Sequence, residues 1–435
     1  MSQAHPTTTL YSLPDEILGQ IVGSFCTHCS RDVDTWFDGH STPAPFFIYG
    51  YRPDRNRPAI QTLRNLCLVS RRIGNVAQEY LYHAPPLGND DSVHSFKLHK
   101  TFRERPDLMS HIRLLPFFPR VASVSNILAN SGNLEVMLVQ PGNKIFSNPY
   151  WEVSARDGGY PKLTTFVFAQ GSYGFDHVRY DKLLPNLSQS APNLKVLDLH
   201  FTKRVIAPSE DLTLPNVTKL VLRGIDSPYD ARALVHYSIH AANSSDNNLR
   251  NIDALVQAVP SMDDFTFEWH PLSKIRRSTM PLNVTPFNHV LNRCLDSHKN
   301  KLRRLTLVAP CLREGTKNMR IESMVSLQDF SALEVFVTDN CFIGLCAAQP
   351  TVYEAIPTQI KELWIYHHKL STVHVAESGD EILDGAALKT TFPRLERVGI
   401  GGQKDGDGNL MGRVDKNVFG QDIEAFQLPD WDRRM

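Results

Sequence analysis

No stretch of this 435-residue chain approaches the roughly 18 consecutive apolar residues that a membrane-spanning helix needs. Surplus charge is also missing. Lys+Arg and Asp+Glu both number 46, so the formal charge is zero. That removes the long-range attraction toward phosphate backbones and anionic lipid, so neither nucleic acid nor membrane is expected as a partner. The opening MSQAHPTTTLYSLPDE lacks the basic stretch and apolar run of a secretory signal. Cysteine is sparse, odd in number (7) and irregularly spaced: Cys26, Cys29, Cys67, Cys294, Cys311, Cys341 and Cys346. In a chain of this length the pattern reads as reduced thiols of an intracellular protein, cytoplasmic and/or nuclear, rather than a disulfide framework.

Motifs that carry chemistry are missing too. There is no HExxH zinc helix, no GxxxxGK[ST] phosphate loop and no GxSxG nucleophile elbow. Cys26-Thr27-His28-Cys29 has the CxxC spacing of a metal pair, but only His28 and His40 lie nearby in the chain and no second CxxC follows. His236 and His240 share a helical face without a third ligand. Asp405, Asp407 and Asn409 open like a calcium loop, yet Leu410 and Lys416 stand where Gly and Glu are required. The expectation is therefore a chain with no catalytic residues, no metal and no cofactor. The basic clusters Lys274 to Arg277 and Lys299 to Arg304 read as solvated faces.

What is present divides into two patterns. The hydrophobic fraction, 42%, suffices for a large core. Ser12 precedes Pro14, Asp15 and Glu16, a set of helix-start signals. Apolar residues then recur at helical spacing: Leu13, Ile17, Leu18, Ile21 and Phe25. Residues 30–58, with Pro43, Pro45, Pro53 and Pro58, interrupt the pattern as a loop. Helical spacing resumes at Leu63, Leu66 and Cys67 and again at Val69, Ile73, Val76, Ala77, Tyr80 and Leu81, until Pro85-Pro86 stops it. Residues 1–90 thus form one small helical module with an inserted loop.

Residues 91–435, including a tail over 405–435, follow a different rule. A motif of apolar, two variable, apolar, one variable, apolar recurs. The clearest copies are LKVLDL from Leu194, VTKLVL from Val217 and LRRLTL from Leu302. Others begin at Leu163, Met262, Ile360 and Leu395, with weaker copies at Met109, Leu134 and Leu333. Many follow a proline turn: YPKL, APNL, LPNV, VPSM, FPRL. The alternating last positions have strand period, and helical patterns such as DHVRYDKLLPNLSQS, NLRNIDALVQAV and PFNHVLNRCLDSH lie between copies. Units that cannot bury their apolar face alone stack on neighbours, which predicts an irregular solenoid with insertions. A doubly wound α/β domain is the alternative arrangement.

The residues LPDEILGQIV (13–22) and LRNLCLVSRRIGNVAQEYLYH (63–83) resemble the F-box family. Leu13-Pro14, Glu16-Ile17-Leu18, Val69-Ser70-Arg71 and Leu81-Tyr82 fill the family's places, whereas the 30–58 insertion departs from its short connection. The resemblance implies an α/β chain in which a small three-helix F-box module precedes a leucine-rich-repeat-like solenoid. It also implies a Skp-type adaptor as partner, through it a cullin, and a protein target of unknown identity. Adaptor contact or its support would fall to Leu13, Pro14, Ile17, Leu18, Ile21, Leu63, Leu66 and Val69. The chain would be the substrate receptor of a ubiquitin ligase. An α/β enzyme with an unrecognised site, or an F-box scaffold outside ubiquitination, are the other readings. In a stacked-strand body the side chains between the core positions point away from the core. That predicts a target face from Asp198, His200, Lys219, Arg223, Glu268, Arg304, Trp364, Tyr366 and Arg397, with Trp364 and Tyr366 an exposed aromatic pair.

Overall fold

A computed structural model describes residues 12–26, 28–29, 57–85, 93–117, 124–139, 159–168, 178–200, 205–206, 211–225, 252–269, 282–283, 291–308, 319–320, 327–339, 342, 356–367, 390–402 and 424–427. The chain forms two compact units, Met1–Tyr173 with Gln189–Leu194, and Gly174–Ser188 with Lys195–Met435. Among the described residues no helix is long and apolar enough to cross a membrane.

The first unit begins with helices α1 (Asp15–Gly23), α2 (Arg57–Leu66) and α3 (Arg71–His83). Pro14 precedes α1 and two acids occupy its first turn, where they complement the helix dipole. Ser70 caps α3, its hydroxyl accepting from the Ile73 amide at 3.3 Å. Leu18 and Val22 of α1, Leu63 of α2, and Ile73 and Ala77 of α3 form one buried core, with Leu66, Cys67, Val76, Tyr80 and Leu81 packed against it. Helices α2 and α3 approach closely at Gly74, where a Cβ would meet the Cys67 carbonyl oxygen at 2.7 Å. Helix α4 (Val93–Glu104) follows, and its Phe102 ring packs against Tyr82. A 3-10 turn (Pro106–His111) then leads to strand β1 (Leu114–Phe117). Helix α5 (Val124–Asn130) separates β1 from β2 (Val136–Val139), and β3 (Thr165–Phe168) completes the unit's strands. β1, β2 and β3 pair in parallel in chain order.

In the second unit the main strands are β5 (Val196–His200), β7 (Lys219–Ile225), β8 (Asp264–Trp269), β10 (Arg304–Val308), β12 (Val335–Asp339), β13 (Glu362–His367), β14 (Arg397–Gly402) and β15 (Glu424–Gln427). Each pairs in parallel with the next. Two short pairs stand apart: β4 (Val178–Arg179) with β6 (Val205–Ile206), and β9 (Leu282–Asn283) with β11 (Met319–Arg320). Helix α6 (Tyr180–Ser190) precedes β5, and helical residues 252–257 and 291–295 precede β8 and β10. These are the three helical patterns anticipated between motif copies.

Most motif copies build the same local structure, although Leu302 N–H reaches back four residues, to His298 O at 2.9 Å. Their first apolar residue closes a turn, as in Leu163 N–H to Tyr160 O, Leu194 to Ala191, Val217 to Leu214, Met262 to Val259, Leu333 to Phe330 and Leu395 to Phe392. The next two amides share one carbonyl of the preceding copy, as Asp263 and Asp264 share Thr218 O and as Arg303 and Arg304 share Asp263 O. The strand starts at the motif's third position. Alternate residues Leu197, Leu220, Phe265, Leu305, Phe336 and Leu363 are wholly buried on one face. Before one such turn Gly159 takes φ 63°, and a Cβ there would collide with the Ser190 carbonyl.

One expectation needs correction. The first copy is IRLLPF from Ile112, not MSHIRL from Met109, because Ile112 closes the turn on Met109 O and β1 starts at Leu114. The segment from Met109 matches the apolar template by coincidence of a 3-10 turn. The tail over 405–435 adds a strand, Glu424–Gln427, which pairs with β14.

Candidate functional site

Two features of the helical module carry chemical interest. The first is its outer surface. Among the described residues the exposed large apolar side chains are Ile17 (41%), Ile21 (39%), Phe25 (38%), Leu68 (86%) and Val69 (50%). All belong to α1 and its exit or to the connection between α2 and α3. Ile17, Ile21 and Phe25 recur at four-residue spacing, while Leu18 and Val22 one step on turn inward. Arg72 fixes the approach to α1: its guanidinium donates to Asp15 Oδ1 at 2.6 Å and to the Leu13 carbonyl at 2.5 Å.

The eight residues expected at an adaptor surface therefore divide. Pro14, Ile17, Ile21 and Val69 are exposed and Leu13 is half-buried. Leu18 and Leu63 lie in the module core, and Leu66 packs against it. The helical repeat turns them away from the exposed side. Phe25 and Leu68 are additional exposed positions that the sequence reading left out. Arg72 was missed as well: spacing within one helix says nothing of a partner 57 residues away.

The second feature is a cluster of sulfur and nitrogen atoms. After α1, the Cys26 amide bonds back to Gly23 O at 2.9 Å, and the Cys26 side chain is buried. Cys29 Sγ lies 3.5 Å from His28 Nδ1 and 3.3 Å from His83 Nδ1 at the end of α3. The ligand-type atoms of Cys26, His28, Cys29 and His83 all fall within 4.8 Å of one another. The two thiols are hydrogen-bonded to one another. The Cys29 thiol hydrogen-bonds Cys26 and lowers its pKa to about 4, against the opposing effect of burial. The same contact, with burial, pushes Cys29 up. His28 Nε2 approaches Glu135 Oε2 at 3.3 Å and His83 Nε2 approaches Glu79 Oε1 at 3.8 Å. The adjacent His28 imidazole, then the Arg113 guanidinium 2.8 Å away, hold the Glu135 carboxyl below its usual range. The sequence-based ground for expecting no metal was a shortage of ligands near Cys26–Cys29 in the chain. The fold removes that ground by bringing in His83 from 54 residues away. His40, His236, His240 and the Asp405–Asn409 stretch lie outside the described residues.

The expected target face is corrected. Asp198, Arg223 and Glu268 are not open to solvent but nearly wholly buried, 1%, 4% and 2% exposed. They form an ion triad across β5, β7 and β8, with Arg223 Nε 3.0 Å from Asp198 and its Nη1 3.0 Å from Glu268. Burial raises the Asp198 pKa more than Arg223 lowers it. Trp364 is also buried, at 6%, and clusters with Val308, Val335 and Val337. Its Nε1 donates to Glu362 at 3.3 Å, and Glu362 in turn accepts from the half-buried Arg397. Lys219 and Arg304 flank Asp264 in a further ion group. Strand alternation placed these side chains opposite the core correctly, but that face is packed rather than bare. The side chains of His200 and Tyr366 lie outside the described residues.

Neither a protein-family model nor a curated protein matches the chain.

Proposed function

We propose that this chain is an F-box-type substrate receptor of a SKP–cullin–F-box ubiquitin ligase. Helices α1–α3 dock a Skp-type adaptor, and the strand region, a leucine-rich-repeat-like solenoid, holds a protein target. The observation that carries the reading is the concentration of exposed large apolar side chains on this one small module. Exposed apolar side chains gathered on one element mark a partner surface when they are not scattered singly. Four of them, Ile17, Ile21, Leu68 and Val69, fall within the segments that resemble the F-box. The solenoid reading draws support from the main strands, which within each unit pair in chain order and in parallel, most of them entered by the same turn and shared-carbonyl bonds. In such a receptor the chemistry belongs to the partners. The chain contributes proximity, raising the target's effective concentration at the conjugating enzyme.

The test is co-purification of the full chain with a Skp-type adaptor. An Ile17→Ala, Ile21→Ala double variant should weaken binding by on the order of 1–2 kcal/mol per residue. Its melting temperature should hardly move, because both side chains are exposed. A wild-type chain that captures no adaptor, or a double variant that captures it equally well, sinks the proposal.

A further inference from the structure

We propose that Cys26, His28, Cys29 and His83 bind one zinc ion that staples the end of α1 to the end of α3. The inference rests on the geometry of these four residues and stands whether or not the module docks an adaptor.

The donor set is the Cys2His2 combination of tetrahedral structural zinc. In such a site, with Zn–S about 2.3 Å and Zn–N about 2.0–2.1 Å, a ligand sulfur and nitrogen lie about 3.6 Å apart. Cys29 Sγ stands at 3.5 Å from His28 Nδ1 and 3.3 Å from His83 Nδ1. Both rings turn the same nitrogen, Nδ1, toward sulfur. Both turn Nε2 toward a carboxylate, Glu135 for His28 and Glu79 for His83. That is the carboxylate–histidine–metal arrangement, in which the outer carboxylate fixes the tautomer and strengthens the ligand. Neither Nε2 makes a well-angled hydrogen bond among the described residues. A metal on Nδ1 would keep the proton on Nε2 and give it these acceptors.

The charges balance. A divalent ion with two thiolates and two neutral imidazoles has no net charge, which suits a site where Cys26 and His83 are buried. Zinc must displace any proton left on a ligand, so affinity falls as the pH drops. Four protein ligands leave no open coordination position, so the role is structural. Cys29 and His83 are 54 residues apart, and the staple closes the chain across the 30–58 insertion. Closing a long loop removes much unfolded-state freedom. The staple also reaches the strands of the same unit. His28 contacts Glu135, Glu135 pairs with Arg113, and the Arg113 amide bonds to the His83 carbonyl at 3.0 Å.

The experiment is elemental analysis of the full chain after expression with zinc, followed by zinc exchange for cobalt. About one zinc per chain and a cobalt spectrum with tetrahedral and thiolate charge-transfer bands are expected. Cys29→Ser should lose the metal, whereas Cys67→Ser, a half-buried thiol outside the cluster, should keep it. Glu135→Gln retains all four ligands and should weaken zinc affinity by about 10–100-fold, which reads the site even if Cys29→Ser does not fold. A folded wild type that takes up no zinc overturns the proposal. So does zinc that persists in Cys29→Ser, or a zinc affinity that Glu135→Gln leaves unchanged.

Discussion

At the scale of single residues, the buried charges set the largest expected effects. Arg223 pairs with two carboxylates that have almost no access to water. Removing it in Arg223→Ala leaves both uncompensated and should cost about 3–5 kcal/mol of stability, measurable by urea unfolding. Replacing the whole triad with apolar residues of similar volume should cost far less, because the desolvation of all three charges disappears together. His298 makes a pH-dependent contribution. Burial holds its pKa below 6.5, with Lys301 adding to the effect. As the pH falls, the unfolded chain therefore takes up the proton first. The stability contributed by neutral His298 is full above about pH 6.5 and is lost as the pH falls from there toward the native pKa. Unfolding free energies at about pH 7.5 and about pH 5.5 should differ more in the wild type than in His298→Leu, and equal differences would contradict the assignment. None of this was legible in the sequence. Asp198, Arg223 and Glu268 lie 25 and 45 residues apart, and charge at a strand position reads as exposure until a partner strand is known.

At the scale of elements, the helices of the module separate packing from recognition within one turn. Leu18 and Ile17 are neighbours in sequence, yet one is buried at 1% exposure and the other stands 41% exposed. Leu18→Ala should destabilise the module by about 2–5 kcal/mol, while Ile17→Ala should leave thermal stability nearly unchanged. On the proposed function the order reverses for adaptor capture, and equal effects of the two substitutions on both readouts would refute the division. Ser70 is a cap of the usual kind, and Ser70→Ala should cost about 1 kcal/mol, detectable as loss of amide protection in the first turn of α3. Helical periodicity and cap residues made α1 and α3 legible in outline. The pinning of α1 by Arg72 and the approach of His83 to Cys29 were not, because both join residues more than fifty positions apart.

At the scale of the whole molecule, the proposed solenoid implies that the parallel strands of the second unit, each paired with the next, should respond to damage locally. Phe336 is wholly buried on β12, and Phe336→Ala should cost about 3–5 kcal/mol. Hydrogen exchange should then rise most in β10, β12 and β13 and least in β5, whereas uniform loss of protection would argue against a nearest-neighbour stack. The sequence by itself determined the helices around the first core and the recurring strand motif, but not the helices Val93–Glu104 and Val124–Asn130. Apolar residues at these offsets suit a turn followed by a strand, so the turn, the strand and its buried face follow from a few positions, as at Leu194, Leu197 and Leu199. The exception, the first copy, shifted by three residues because a 3-10 turn satisfies the same apolar template. Only the tertiary structure decided what meets across distance. It turned a supposed open aromatic at Trp364 into a packed one, gathered Asp198, Arg223 and Glu268 into a triad, and completed Cys26, His28 and Cys29 with His83. The physical reason is that periodicity reports which side of an element faces inward, whereas coverage, charge pairing and ligand number depend on residues that the chain brings together only by folding.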